Sequence, residues 1–543
     1  MKPKSISIAD IRRILFFLMV VTLPFSTLPD WAAFSIPLFT MGDMANKLTV
    51  YPFAAGLLLE AYCFIQKRRM GEHLRLDQWS KLFWAVIGIY MLAGLFSTIW
   101  GALHYPFYDD VISKSMDLFA KVPKVSLWLT GHGIPVSIEQ LLPYWVAARY
   151  TKAFFADVLV TFGFAFLVWR WCRRDPAGYF RILCNGVLVT LVIILAYCAI
   201  EVPSLLHNET CTNILKMINP YIHDVADGSD LKSWWPPLLW PGQLRSILPE
   251  PSHFGIYFAF AFPFMLFLCK EARGVKSVIY CGLLFLYVCC MFLTNARTPV
   301  ILFLGEMAML VVYILFIHER KLFLHFGIVT GICMLAFCTV VNGIEPHIQT
   351  PSAASSDANQ AEKYLDNTVG SLDSVQKRSN YSRFSATKIE FDIGREHPLA
   401  GVGVGLHAGY ANQKLKELPV LNSELKLWTS TIEKLGPLKA SITKATEYTF
   451  RFAQQGLIGL ILFLVFPVIL AFRLLSVLWH KNRNNYAAFT IFLSYAGVSI
   501  GGFSGNFEFM IWCFWLLLGV GFAWVELGTR SSSEHLTRWK KEK

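Results

Sequence analysis

Apolar residues fall in repeated runs of roughly 18–22, separated by short clusters of Lys and Arg or by longer polar stretches. A helix of that length crosses a hydrocarbon core of about 30 Å. The runs predict twelve helices, over about 14–30, 48–65, 83–103, 152–171, 182–201, 253–270, 277–295, 298–317, 322–341, 452–475, 487–503 and 509–527. The predicted fold class is an all-α polytopic membrane protein with about 12 transmembrane helices. Every second connection is short and basic: Lys67, Arg68, Arg69, Arg75 and Lys81 follow the second helix, Arg173, Arg174 and Arg181 the fourth, and Lys270, Arg273 and Lys276 the sixth. Arg320 and Lys321 follow the eighth helix, Lys481 and Arg483 the tenth, and Lys540, Lys541 and Lys543 end the sequence. The positive-inside rule assigns these connections and both termini to the cytoplasm.

The other connections face outward, and three are long: 104–151, 202–252 and 342–451. This divides the chain into helices one to nine (1–341), a large outward loop or lobe (342–451), and helices ten to twelve with a tail (452–543). Thr350–Asp373 is rich in Ser, Ala and Asn and is expected to be mobile. Leu415–Leu438 repeats apolar residues at helical spacing, which predicts helices lying on the membrane surface.

Composition agrees with this pattern: 55% of residues are hydrophobic and 16% charged. A net charge of +12 in a soluble chain would point to nucleic acid, but here the basic residues sit in interhelical loops, so nucleic acid is excluded as a partner and membrane lipid takes its place. No small-residue cleavage site follows the first apolar run, which Pro24 and Pro29 interrupt, so no cleavable signal is expected. Of the 12 Cys only Cys211 falls in a long loop, and no CxxC pair occurs. The 13 His show no HxxxH or HExxH spacing, there is no DxD, and Asp224, Asp227 and Asp230 read as solvated charges. No protein-held metal or organic cofactor is expected.

Chemistry-bearing residues concentrate in a few places. Arg245-Ser-Ile-Leu-Pro-Glu250-Pro-Ser252-His253 crowds charge against the mouth of the sixth helix, where charge is costly. Pro249 and Pro251 hold Glu250 extended. Arg297 occupies a four-residue polar turn between the seventh and eighth helices, and its planar fork matches phosphate oxygens. The topology puts these two segments on the same outward side, with Arg451 at the start of helix ten. In His397-Pro-Leu-Ala-Gly401-Val-Gly403-Val-Gly405 the alternate glycines permit close approach of backbone to a ligand or another chain, or turns with φ above zero. Glu306 is a carboxylate in hydrocarbon, at a cost of about 2.5–3.5 kcal/mol unless paired, protonated or facing a cavity.

Four features occur in order: Arg-x4-Glu-Pro-Ser (Arg245, Glu250, Pro251, Ser252), Thr-Asn-Ala-Arg-Thr (294–298), Ser-Arg383-Phe with Glu-His397-Pro-Leu-Ala-Gly-Val-Gly-Val-Gly, and Phe-Ala-Gln-Gln-Gly456-Leu-Ile-Gly459-Leu. The set resembles the O-antigen ligase and polymerase superfamily of bacterial inner-membrane proteins over about residues 240–475. The resemblance implies a membrane-embedded (GT-C-like) glycosyltransferase fold. Its reaction would take a glycan from a polyprenyl diphosphate donor to a hydroxyl of another lipid-linked repeat unit, at the periplasmic face and without a metal. It implies Arg245, Arg297 and Arg383 as diphosphate ligands, with Arg395, Arg451, Ser252 and the glycines 401, 403 and 405 as further binding residues. Glu250, His253, His397 and Glu447 are the candidate bases. A chain-length regulator protein is the further partner. Ligases of the superfamily carry a His-Asn pair where this chain reads Lys444-Ala-Thr-Glu447-Tyr448, which favours a polymerase. A ligase acting on lipid A core is the rival within the same chemistry. A lipid-linked oligosaccharide flippase is the rival of another class, disfavoured because the ionisable residues gather at one membrane face.

Overall fold

The computed structural model describes residues 7–29, 45–71, 77–223, 236–348, 360–368, 370, 378–479, 485–505 and 512–527. Asp224, Asp227, Asp230, Lys481, Arg483 and the C-terminal lysines lie outside them. Among the described residues there is no strand, only an isolated bridge between Trp240 and Gln243. Among the described residues eight helices are long and apolar enough to cross a membrane: Gln78–Leu103, Ile138–Cys172, Pro176–Leu205, Pro251–Glu271, Val275–Leu293, Arg297–Ile317, Arg320–Ile348 and Glu447–Trp479. Tyr486–Gly501 and Trp512–Leu527 are apolar but shorter. Ile8–Thr22 and Val50–Arg69 occupy the first two predicted positions. The first helix ends at Thr22, well short of the expected residue 30, because Pro24 and Pro29 lack the N–H a helix needs.

Two predicted boundaries move outward for local reasons. The fourth run begins at Ile138, where Ser137 accepts from the Gln140 N–H and the Gln140 side chain accepts from the Ser137 N–H. The tenth begins at Glu447 and contains a break at Gly456, with φ 64° and ψ −168°.

Helix 251–271 is apolar all round, as suits a helix surrounded by lipid or by protein, and here the surroundings are protein. Phe254, Phe258, Phe260, Phe262 and Phe264 are all 0% exposed. Helices 275–293, 297–317 and 485–501 pack around it. Its N-terminus therefore opens in the middle of one end of the bundle. At the other end the basic loops meet acids: Arg12 pairs with Glu60 at 2.6 Å, Arg170 approaches Glu60 at 3.4 Å, and Arg173 pairs with Asp77 at 2.7 Å.

Over the first end sits the lobe. Helices Arg378–Glu396, His407–Lys416 and Ser423–Leu435 share a core of Ile389, Ile393, Leu415, Leu425, Ile432 and Ile442. Their apolar faces thus pack on one another. A second cluster joins the lobe to the 104–151 connection through Leu406, Tyr105, Phe119, Leu142 and Val146. Part of the stretch expected to be mobile is also a helix, Gln360–Thr368. Tyr364 anchors it, buried between the rings of Phe292 and Phe337 and donating to the Phe292 carbonyl at 2.9 Å.

Candidate functional site

The segment before helix 251–271 is a tight loop held from below by a carboxylate. Glu201 accepts from the backbone N–H of Arg245 at 3.1 Å and of Ser246 at 2.7 Å. Ser246 takes φ 60°, a left-handed conformation that this double anchor sustains. The Trp240 indole donates to the Pro249 carbonyl, closing the loop at 3.1 Å. Arg245 is 0% exposed. Its Nη1 reaches His223 Nε2 at 2.5 Å and the Leu248 carbonyl at 2.9 Å, and its Nη2 donates to Asn219 and the Leu238 carbonyl. The expected place of Arg245 at the outer surface is thereby corrected. Its guanidinium is buried inside the protein, where Nη1 and Nη2 shape the loop. Since Arg has no acceptor, His223 Nε2 accepts and its Nδ1–H donates to Thr27 Oγ1 at 2.8 Å. Burial, then the Arg245 charge, push the His223 pKa down to about 2, so the imidazole is neutral.

The loop delivers Glu250 to the mouth. Glu250 is extended (φ −139°, ψ 151°) because Pro follows it, and it immediately precedes the helix. Ser252 Oγ donates to Glu250 Oε2 at 3.0 Å, and both residues are half-buried. His253, in the first helical turn, is buried beside them. The turn between helices 275–293 and 297–317 is the immediate neighbour, as the topology predicts. Leu244 N–H donates to the Leu293 carbonyl and Gln243 Nε2 to the Asn295 carbonyl, both at 3.0 Å. A Cβ on Gly255 would collide with the Pro299 ring, so the two helices touch at their first turns.

Arg297 stands at the start of its helix, half-buried, and donates to Asn380 of the lobe. Arg383, one helical turn further along the lobe helix, is exposed, and its charge acts on both Arg297 and His253. Among the described residues neither Arg297 nor Arg383 is ion-paired with a carboxylate. Two like charges are thus held near each other at the helix mouths, with His253 within electrostatic reach of both Arg383 and Glu250. Such an arrangement attracts an anion and keeps a proton acceptor beside it.

The other candidates lie elsewhere. Arg451 is buried and neutralised on two sides, by Glu447 at 2.7 Å and Asp157 at 2.7 Å, with the Phe463 ring 4.9 Å away. Arg451 and Glu447 therefore pin helix 447–479 to helix 138–158 and offer neither a spare cation nor a spare base. The three glycines form a packing joint and no phosphate cradle. Gly401, Gly403 and Gly405 have φ of 67°, 100° and 79°. Val402 and Gly403 N–H groups donate to the Ala453 and Gln454 carbonyls, while Leu457 N–H, freed by the break at Gly456, donates to the Pro398 carbonyl at 2.7 Å. Side chains on Gly401, Gly405 or Gly456 would strike Gln454, Tyr150 and Leu399 respectively. Arg395 is exposed and lies about 18 Å along the helix from Arg383 at 1.5 Å per residue. His397 follows the helix end and stacks edge-on to Tyr410 at 5.5 Å.

Several partners were not marked by any local pattern. Asn380, Glu201, His223 and Asp157 reach their roles only through the fold. Glu390 is fully buried on the lobe helix, accepting from Thr449 at 2.6 Å. Burial pushes its pKa up to about 8, against the Thr449 hydrogen bond and the Lys444 charge. His407, also buried, contacts Ser441 and Gln454 beside the start of helix 447–479.

The sequence model of a family described as O-antigen ligase matches residues 282–429, about a quarter of the chain. The matched stretch holds Arg297 and Arg383 together with most of the lobe. No curated protein matches the chain.

Proposed function

We propose that this chain, whose residues 282–429 match the model of a family described as O-antigen ligase, is a polysaccharide polymerase that works at the outer face of a bacterial inner membrane. Its donor is a glycan on a polyprenyl diphosphate, and its acceptor is a hydroxyl of another lipid-linked repeat unit. The observation that carries this reading is the pair Arg297 and Arg383, unneutralised by any carboxylate among the described residues, with His253 within electrostatic reach of both Arg383 and Glu250. In the reaction the acceptor oxygen attacks the anomeric carbon. The bond from that carbon to the diphosphate oxygen breaks, and the diphosphate leaves with the electron pair. The acceptor proton passes to a base, for which Glu250 is placed: extended, half-buried, and oriented by Ser252. The two guanidiniums hold the diphosphate as its charge grows, which is the largest service a site can give to a good leaving group. Arg245, Arg451 and Glu447 act one step back, by fixing the loop and the helices that carry these groups.

The polymerase reading is favoured over the ligase reading by Glu447. Where ligases carry the His-Asn pair, this chain has a buried carboxylate ion-paired to Arg451. Glycan electrophoresis of a deletion strain tests the assignment. A single repeat unit left on lipid A is the expected pattern. Unligated long polymer would point to a ligase, and lipid-linked units retained inside the cell to a flippase.

A further inference from the structure

The lobe and the 104–151 connection enclose a pocket of about 170 Å³ lined by Phe107, Asp110, Lys114, Asn412, Gln413 and Lys416, with Gly409 among its walls. At about 30 Å³ per water in the liquid, it has room for several waters or one polar ring. We propose that this pocket is a saccharide subsite, separate from the Arg297 and Arg383 pair, that holds the glycan being lengthened; this rests on the polymerase reading above.

The lining has the chemistry of sugar recognition. Phe107 supplies an aromatic wall, fixed edge-on against Tyr105 at 5.4 Å and Tyr410 at 5.2 Å. A sugar ring packs its C–H face on such a wall while its hydroxyls meet polar groups around the rim. Gly409 lets its helix pack directly against this wall, since a Cβ there would run into Phe107 and the Tyr105 hydroxyl. Asn412 Oδ1 is buried and accepts no hydrogen bond from the protein. A buried amide oxygen without a donor is costly, and a hydroxyl supplies that donor.

Charge narrows the ligand class. Lys114 is paired with Asp110 at 2.5 Å and Lys416 with Glu433 at 2.9 Å, so both cations lining the pocket already have counter-ions. That arrangement suits a neutral, hydroxyl-rich ligand better than a phosphate or a polyanion. Position narrows the role. Lys414, on the same helix as Asn412, pairs with Glu396 at the far end of the lobe helix from Arg383. At 1.5 Å per residue the two ends are about 20 Å apart. A glycan several rings long spans that distance, whereas one sugar at the reaction centre does not.

The test uses full-length protein in detergent. The probe is multi-repeat oligosaccharide released by mild acid from the host's own surface polysaccharide. Phe107→Ala removes the wall, and Gln413→Trp, at an exposed position, fills the mouth without touching the core. Expected are an affinity for the probe reduced about tenfold or more in both variants, and in cells a collapse of the polymer ladder to short chains. If Gln413→Trp keeps both the affinity and the ladder while Arg297→Ala abolishes polymer, the subsite is overturned and the polymerase reading stands. If Arg297→Ala gives a normal ladder, the reading on which the subsite rests has failed.

Discussion

Two arginines of one short region have opposite fates, and only their partners tell them apart. Arg245 is fully buried and bonded to His223, Leu248 and Asn219, whereas Arg297 is half-buried and donates to the neutral amide of Asn380. Arg245→Ala leaves a buried cavity beside Glu201 and strips several acceptors of their donor. A loss of about 3–5 kcal/mol is expected, read as a low folded yield and an early thermal transition. Arg297→Ala is expected to change stability by less than about 1 kcal/mol, since no buried partner is orphaned. It should lower glycan transfer by about a hundredfold or more, in line with the loss of one charged donor to a leaving group. A folded, inactive Arg245→Ala would show that the buried guanidinium does meet the substrate. The sequence marks both residues as costly charges at a membrane mouth, and that much was legible. It does not reveal which is buried, because Glu201 and His223 lie 44 and 22 residues away from Arg245 in the chain.

Among elements, the break in helix 447–479 organises the joint between lobe and bundle. Gly456 leaves the helical conformation, and the strand of backbone from Pro398 to Gly403 lies along the opened turn. Ser97 donates to the Ala400 carbonyl at 2.5 Å and the Gln454 carbonyl at 2.9 Å, tying helix 78–103 to the same place. Gly456→Ala places a side chain at φ 64° and against Leu399. A loss of at least about 1–2 kcal/mol follows from the left-handed conformation alone, measurable as a lower melting temperature. An unchanged melting temperature would mean that the break relaxes to an ordinary helix. Hydrophobic runs gave away the long helices, because a membrane-length apolar run has few other uses. The glycine motif was visible too, yet its purpose was not. Close approach to a ligand and close approach to another backbone require the same residues, and only Ala453 and Gln454 lying against it decide for the second.

At the scale of the whole molecule, two buried titratable groups outside the spans pull stability in opposite directions with pH. His223 is held neutral, with a folded pKa of about 2 against an ordinary value of about 6.5. Its contribution is complete above pH 6.5 and is lost as pH falls, because the unfolded chain then binds a proton that the folded chain refuses. Glu390 is held protonated, with a folded pKa of about 8 against an ordinary value of about 4.3. Its contribution is complete below about pH 4.3 and is lost as pH rises towards 8, because the unfolded chain then releases a proton that the folded chain keeps. Between about pH 4.3 and 6.5 the two slopes cancel. Above that window the Glu390 slope acts alone, and below it the His223 slope does. Thermal melting of the detergent-solubilised protein across this range is therefore expected to show a plateau with a decline on each side. Glu390→Gln keeps an acceptor for Thr449 and cannot ionise, so it should flatten the decline between pH 6.5 and 8 and, with the His223 slope no longer opposed, turn the plateau into an acid decline that begins near pH 6.5. If that variant keeps the full alkaline slope, Glu390 is already ionised in the folded lobe, and Lys444 rather than burial governs its charge.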